Sequence, residues 1–419
     1  MNEVPVNDVS IEEFTEFAIQ LSHLYISSGG PTSRLEERVS VLGENFGFAV
    51  EVFSTSTSVF VTTKKIDIDR TFTRMGRIAN GTNDLSELAR LDGLFSDVEN
   101  GSIQDFEELK DAFEMPPKRF SVSVLVASIL LLGVSASLPL FGSVTGAILS
   151  GTVAVLVFWL SGPLAKYLGL HGVFSEFIGC FIAFAISGLL SQQLNIDPRA
   201  ISIGTLILMV PGLAMTNAIS ELAQQNFVSG TAKMMRAILT LIAMGTSYLL
   251  IKDVSQIMGM DGLKFLGYSN DFQASFWLKM TGSLGVLVSA SIVYNVPTKL
   301  IPFTALTGLA AVYAFHTNFS NSSFHVLASF VPALIVGLLS LGFSRLLKVP
   351  SQTFSVPSIL SIVPGMLALS SFALITNDVT NQGGIGIKVL SISSSIVFGL
   401  FTARIPFILV RRGKEVYSE

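Results

Sequence analysis

The amino-acid sequence predicts an all-α polytopic membrane protein, ten transmembrane helices in a 5+5 inverted repeat, with a small N-terminal α+β cytoplasmic domain in front. Three observations predict it. Half of the 419 residues are hydrophobic and 13% are charged, giving a mean hydropathy of +0.62, well above that of a soluble globular chain. The charges are unevenly placed: residues 1–119 hold 11 Lys/Arg and 21 Asp/Glu, whereas the remaining 300 positions hold 15 and 9. From Phe120 onward, apolar stretches of about 17 to 22 residues recur, each near the roughly 20 that a helix needs to cross the hydrocarbon.

The acidic front, residues 1–117, reads as its own α+β domain. Ser10-Ile11-Glu12-Glu13 is a capping box opening an amphipathic helix that ends at Gly29-Gly30, and Ser33-Arg34-Leu35-Glu36 is a second box opening the next helix. Short β-branched runs follow at 49–54, 58–63 and 66–73, then helical patterns over 84–95 and 103–113. Met115-Pro116-Pro117-Lys118 ends the domain, because prolines cannot extend a helix. Met1 to Glu13 has no apolar core, so no signal peptide is expected and the front stays in the cytoplasm. Cys180 is the single cysteine, which excludes intrachain disulfides and thiolate metal sites; no metal and no cofactor is implied.

The expected spans are 120–140, 143–162, 173–191, 200–219, 232–251, 275–294, 301–317, 324–345, 356–376 and 387–409. They divide into a first five-helix repeat at 118–252, an extracytoplasmic connection at 253–274, and a second repeat with a cytoplasmic tail at 275–419. With Lys118 inside, twelve Lys/Arg fall on cytoplasmic loops and five outside, as the positive-inside rule requires. Both termini are then cytoplasmic, in the inner membrane. Trp159 and Trp277, near helix ends, read as interfacial anchors.

An internal repeat underlies the 5+5 arrangement. ISIGTLILMVPGL (201–213) is echoed 153 positions later by FSVPSILSIVPGM (354–366), and FIGCFIAFAISGLLS (177–191) by VLASFVPALIVGLLS (326–340) at a shift of 149. Five is odd, so the second copy enters from the opposite face, as in secondary transporters.

The segment LYISSGGPTSRLEERVSVLGENFGFAVEVFSTSTSVFVTT (24–63) resembles the cytoplasmic domain of the threonine/serine exporter family, with its Gly-small-Ser/Thr-x-Arg-x-Glu turn, helix, Leu-Gly and strand pair. Val210-Pro211-Gly212 with Asn217 and Ser229-Gly230 resembles the family's first membrane half, and Val363-Pro364-Gly365 its second. The resemblance implies export of threonine and serine; relatives split over two chains export succinate. Glu221 stands where the family pattern would place an Asp.

Pro211 and Pro364 fall within membrane-length segments, where each frees a backbone carbonyl and irregular backbone is tolerated mainly beside a cavity. Pro211, Gly212, Thr216, Asn217, Pro364, Gly365, Ser370 and Ser371 are therefore the candidate substrate-binding residues. Freed carbonyls at Leu208 or Ser361 would face an ammonium group, and the start of the second half-helix a carboxylate. Glu176 and His325, aligned at the shift of 149, are candidate proton carriers. Arg199, Glu221 and Asp378 are candidate gates. His23 and Ser33 invite a hydrolase reading, but no GxSxG or HExxH accompanies them, so no catalytic residue is assigned.

Together these features predict a secondary exporter of a small-molecule substrate, an amino acid, coupled to protons and embedded in the lipid bilayer. No basic tract suggests nucleic acid and no GxxxxGK[ST] suggests ATP. A homo-oligomer is compatible with the sequence. The alternatives are a dicarboxylate exporter, which would want cations in its cavity where the helix cores offer almost none, and a membrane-anchored enzyme or receptor.

Overall fold

The computed structural model describes residues 9–65, 70–78, 81, 83–170, 172–259, 265–266, 272–318, 325–362, 369 and 383–408. The chain opens with α1 (Ile11–Ser27), α2 (Thr32–Asn45), β1 (Phe48–Ser54), β2 (Ser58–Lys65), β3 (Thr71–Arg77), α3 (Leu85–Glu99) and α4 (Phe106–Glu114). Ser10 caps α1 by accepting from Glu13 N at 3.1 Å. Ser33 does not cap α2: Pro31 is its N-cap and Ser33 sits within the first turn, because proline suits the start of a helix whose early N–H groups lack intrahelical partners.

The three strands form an antiparallel sheet in the order β1-β2-β3, with Val52 opposite Val61 and Val61 opposite Arg74. The third strand lies later than the expected 66–73. Alternation turns Val50, Val59 and Val61 inward against α1, where Phe14 stacks on Phe48 at 4.6 Å between centroids. The Arg and Glu of the glycine-rich turn are staples. Arg34 pairs with Asp92 on α3 at 3.0 Å, and Glu36 Oε1 accepts from Ser54 N and Oγ on β1. Burial pushes the Tyr25 phenol up to about 12, so it stays neutral.

The remaining helices are α5 (Val122–Phe141), α6 (Val144–Tyr167), α7 (Phe174–Leu194), α8 (Pro198–Leu206), α9 (Gly212–Ala223), α10 (Phe227–Ile257), α11 (Phe276–Val293), α12 (Ile301–Asn318), α13 (His325–Leu347), α14 (Gln352–Ile359) and α15 (Gly383–Thr402). Among the described residues, eight helical segments are long and apolar enough to cross a membrane. The expected span 200–219 is instead two half-length helices, α8 and α9, and the expected span 356–376 is described only as far as α14, its turn and Leu369.

Small residues let these helices approach closely. A Cβ added at Gly133 on α5 would lie 2.7 Å from Gly151 Cα on α6, and one at Gly204 on α8 would strike the Gly133 carbonyl. Thr205 on α8 donates to Ile201 O at 2.8 Å and across to Ser150 O on α6 at 3.0 Å. Its partner 153 positions on, Ser358 on α14, donates to Phe354 O at 2.7 Å and across to Thr304 O on α12 at 3.1 Å.

The N-terminal unit docks on one side of the bundle, here the near side. Leu85 N donates to Tyr294 O at 2.9 Å, Asn295 Nδ2 donates to Asp84 Oδ1 at 2.8 Å, and Val296, Leu300 and Phe354 join the unit's apolar core. Thus α11 and α13 end, and α12 and α14 begin, on the near side. Arg199, at the start of α8, stacks over Phe141 at the end of α5 on the far side. The half-length helices α8 and α14 therefore descend from opposite faces.

Candidate functional site

The break between α8 and α9 has a direct physical cause. Pro211 has no N–H to offer Ile207 O, and Gly212 N turns back to Val210 O at 2.8 Å. Among the described residues the carbonyls of Ile207, Leu208 and Met209 accept no backbone N–H. The helix ends at Leu206, where Met209 N closes a tight turn onto Leu206 O at 2.9 Å. At the 153-residue equivalents, α14 ends at Ile359 and Ile362 N closes onto Ile359 O at 2.8 Å.

Cavities flank this break on both sides. The near-side cavity, about 470 Å³, extends from the N-terminal unit at Ser56, Thr57 and Asn83 to Leu208 and Pro211. The far-side cavity, about 270 Å³, is lined by Ser135, Lys279, Ser283 and His316 and reaches Ile207 and Gly212. Among the described residues these cavities share Val210 and Leu360 in their linings. Ile207 and Leu360 are again 153 positions apart.

The candidate residues separate on this map. Pro211 and Asn217 line the near cavity and Gly212 the far one. Thr216 is buried, donates its hydroxyl to Gly212 O at 3.1 Å and lines a smaller near-side cavity. Glu176 reaches the near cavity, half-buried, with Ser175 donating to its carboxylate at 2.7 Å. Arg199 is not a solvated loop charge: it lies largely buried in the first turn of α8. Asp197, which caps α8, holds it at 2.6 Å. Glu221 is buried on α9, ion-paired with Lys233 of α10, and lines a smaller near-side cavity. Pro364, Gly365, Ser370, Ser371 and Asp378 lie outside the described residues. His325 opens α13, and its side chain lies outside the described atoms.

Sequence reasoning missed the cations. Lys233 and Arg236, counted among the cytoplasmic cations although they fall at the edge of the 232–251 span, lie inside α10 and line the near cavity. Lys279, counted among the outer cations although it falls at the edge of the 275–294 span, lies inside α11 and lines the far cavity with His316. The only available signal was their position within a few residues of an apolar run. The expectation of cavities almost without cations does not hold.

Residues 16–254 match the ThrE threonine/serine exporter family, and residues 280–405 match a second family model described as Threonine/Serine exporter, ThrE. The chain is also similar to the Pheromone-regulated membrane protein 10 of Candida glabrata, 22% identical over 276 residues, which are 60% of this chain and 34% of that protein. The chain thus spans about a third of that relative's length. No solved structure matches.

Proposed function

The chain belongs to the threonine/serine exporter family, and from that premise we propose that it is a secondary exporter of small polar amino acids, threonine and serine first, working by alternating access. The observation that carries this reading is the pair of cavities on opposite sides of the broken helix, which have Val210 and Leu360 in common; in this reading those two side chains form the partition. In this state the near cavity admits substrate past the N-terminal unit. Glu176 and Arg236 both line it, a carboxylate and a guanidinium that complement the two ends of a zwitterion. The open carbonyls at Ile207 and Leu208 add acceptors at the break. Export follows when the two apolar partition residues separate toward Lys279 and His316 and the near cavity closes.

The matched hydroxyl bonds of Thr205 and Ser358, the matched ends of α8 and α14 and their opposite directions support a 5+5 inverted repeat within the boundaries drawn from sequence. The positive-inside bias supports a cytoplasmic near side and cytoplasmic termini. Glu176 is the proposed proton carrier. A dicarboxylate substrate is the second reading, favoured by Lys233, Arg236 and Lys279 in the cavities. The family is one of exporters, which weighs against an enzyme.

The test is export of labelled threonine, serine and succinate from loaded proteoliposomes, with and without an imposed pH gradient. Threonine and serine export that the gradient accelerates is expected. Succinate export without amino-acid export would transfer the proposal to the second reading.

A further inference from the structure

The smaller near-side cavity, about 130 Å³, lies where α9, α10, α13, α14 and α15 meet the N-terminal unit. It adjoins the larger cavity, with which it shares Gly29, Asn83, Asn217 and Lys233 in its lining. Glu221 follows Gly212 by nine residues, about 14 Å along the helix from the break at 1.5 Å per residue. Glu221 itself is therefore well removed from the open carbonyls.

The polar groups here are incompletely used. Glu221 is 4% exposed; its Oε1 accepts from Lys233 Nζ, and its Oε2 has no hydrogen-bond partner among the described residues. Ser340, 1% exposed, and Gln352 line the same cavity with Ser340 Oγ and Gln352 Oε1 also lacking partners among the described residues. A buried oxygen left unmade costs about 1–3 kcal/mol, more when charged, so such a concentration around one cavity calls for a donor. Two of the three are obligate acceptors and the third, a hydroxyl, also accepts. Lys233 and Arg404 line the cavity as well. At about 130 Å³ it is slightly smaller than the roughly 150 Å³ that holds benzene, so it takes the ammonium-bearing end of a small amino acid, with the rest of the molecule toward its open side.

We propose that this cavity is a staging subsite for an α-amino acid on its way to the break, with Glu221 Oε2 and Gln352 Oε1 accepting from the primary ammonium group and the Lys233 and Arg404 side attracting the carboxylate. The assignment rests on the exporter reading. It adds a second binding position and names the group that distinguishes an amino acid from a carboxylate of the same shape. The recognised chemistry is a small monovalent cation, which a free alkali ion would share.

The experiment measures binding of threonine and of 3-hydroxybutyrate, which is threonine without its amine, to the full chain in nanodiscs, in sodium and in choline buffers. The wild type should prefer threonine at least tenfold, and Glu221→Gln should lower that ratio severalfold while the acceptors at the break keep the remainder, whereas Glu221→Asp retains most of it. A ratio is insensitive to the fraction of protein folded, so a purely structural role for the Glu221–Lys233 pair would weaken both ligands and leave the ratio intact, overturning the subsite. An intact ratio together with loss of a sodium dependence in Glu221→Gln would assign Oε2 to an alkali ion and also overturn it. Failure of the wild type to bind threonine or serine would overturn the exporter reading itself, an outcome separable from a failure confined to Glu221→Gln.

Discussion

The N-terminal unit and the helical body are held together by different means. The unit buries large side chains: Phe14 contacts Phe46, Phe48 and Phe106, and Phe17 meets Phe106 edge-on at 5.3 Å. The body packs at small residues, with Gly133 against Gly151 and Gly204, and crosses helices with hydroxyl bonds from Thr205 and Ser358. In water, removing aromatic surface from solvent is the main driving force. In hydrocarbon a leucine gains nothing by turning from lipid to protein, so close backbone approach and interhelical hydrogen bonds must specify the packing. The body can accordingly expose many large apolar side chains, Trp277 among them at 75%, while enclosing polar cavities.

Substitutions of graded size test that contrast. Phe14→Ala should cost about 3–5 kcal/mol, read as lost hydrogen-exchange protection across α1 and β1 of the full chain while the helices of the body stay protected. Gly133→Leu should cost about 1–3 kcal/mol or more by forcing α5 from α6, seen as a lower unfolding temperature of the body with the unit unaffected. Pro211→Ala should restore a helical bond to Ile207 and weaken threonine binding by roughly 10- to 150-fold, the value of about 1.5–3 kcal/mol of hydrogen bonding to a charged group, in protein that still inserts. Thr205→Val and Ser358→Ala should each cost only about 0.6 kcal/mol, and by equal amounts if the two hydroxyls are repeat equivalents. Unequal costs measured by reversible unfolding in bicelles would count against the repeat.

Much of this architecture was legible in the sequence, and the limits have physical causes. Hydropathy located the long helices because crossing length and apolar composition are fixed by the bilayer, but it missed helix ends by up to about seven residues, as at α10 and α15, where the helix and the apolar run do not coincide. The VPG motif located the first break, although the helix ends five residues before Pro211, since the missing N–H is felt at the preceding turn. Ser33 matches the capping pattern in sequence, yet the helix already begins at Thr32, which puts this serine inside the first turn. The cavities were not legible. Lys233, Arg236, Lys279 and Gln352 acquire meaning only when elements far apart in the chain are brought together, and hydropathy assigns a charge at a helix end to a loop.

The central claim is that Val210 and Leu360 separate two compartments that open in turn. It is tested most directly by single cysteines at Ala214, in the near cavity, and Ser283, in the far cavity, on a Cys180→Ser background. An impermeant maleimide is applied from each side of sealed vesicles, with and without threonine. The account predicts labelling of Ala214→Cys from the near side alone, and opposite changes in the two labelling rates when threonine is added. Rates that rise or fall together, or an Ala214→Cys reached equally from both sides, would contradict it.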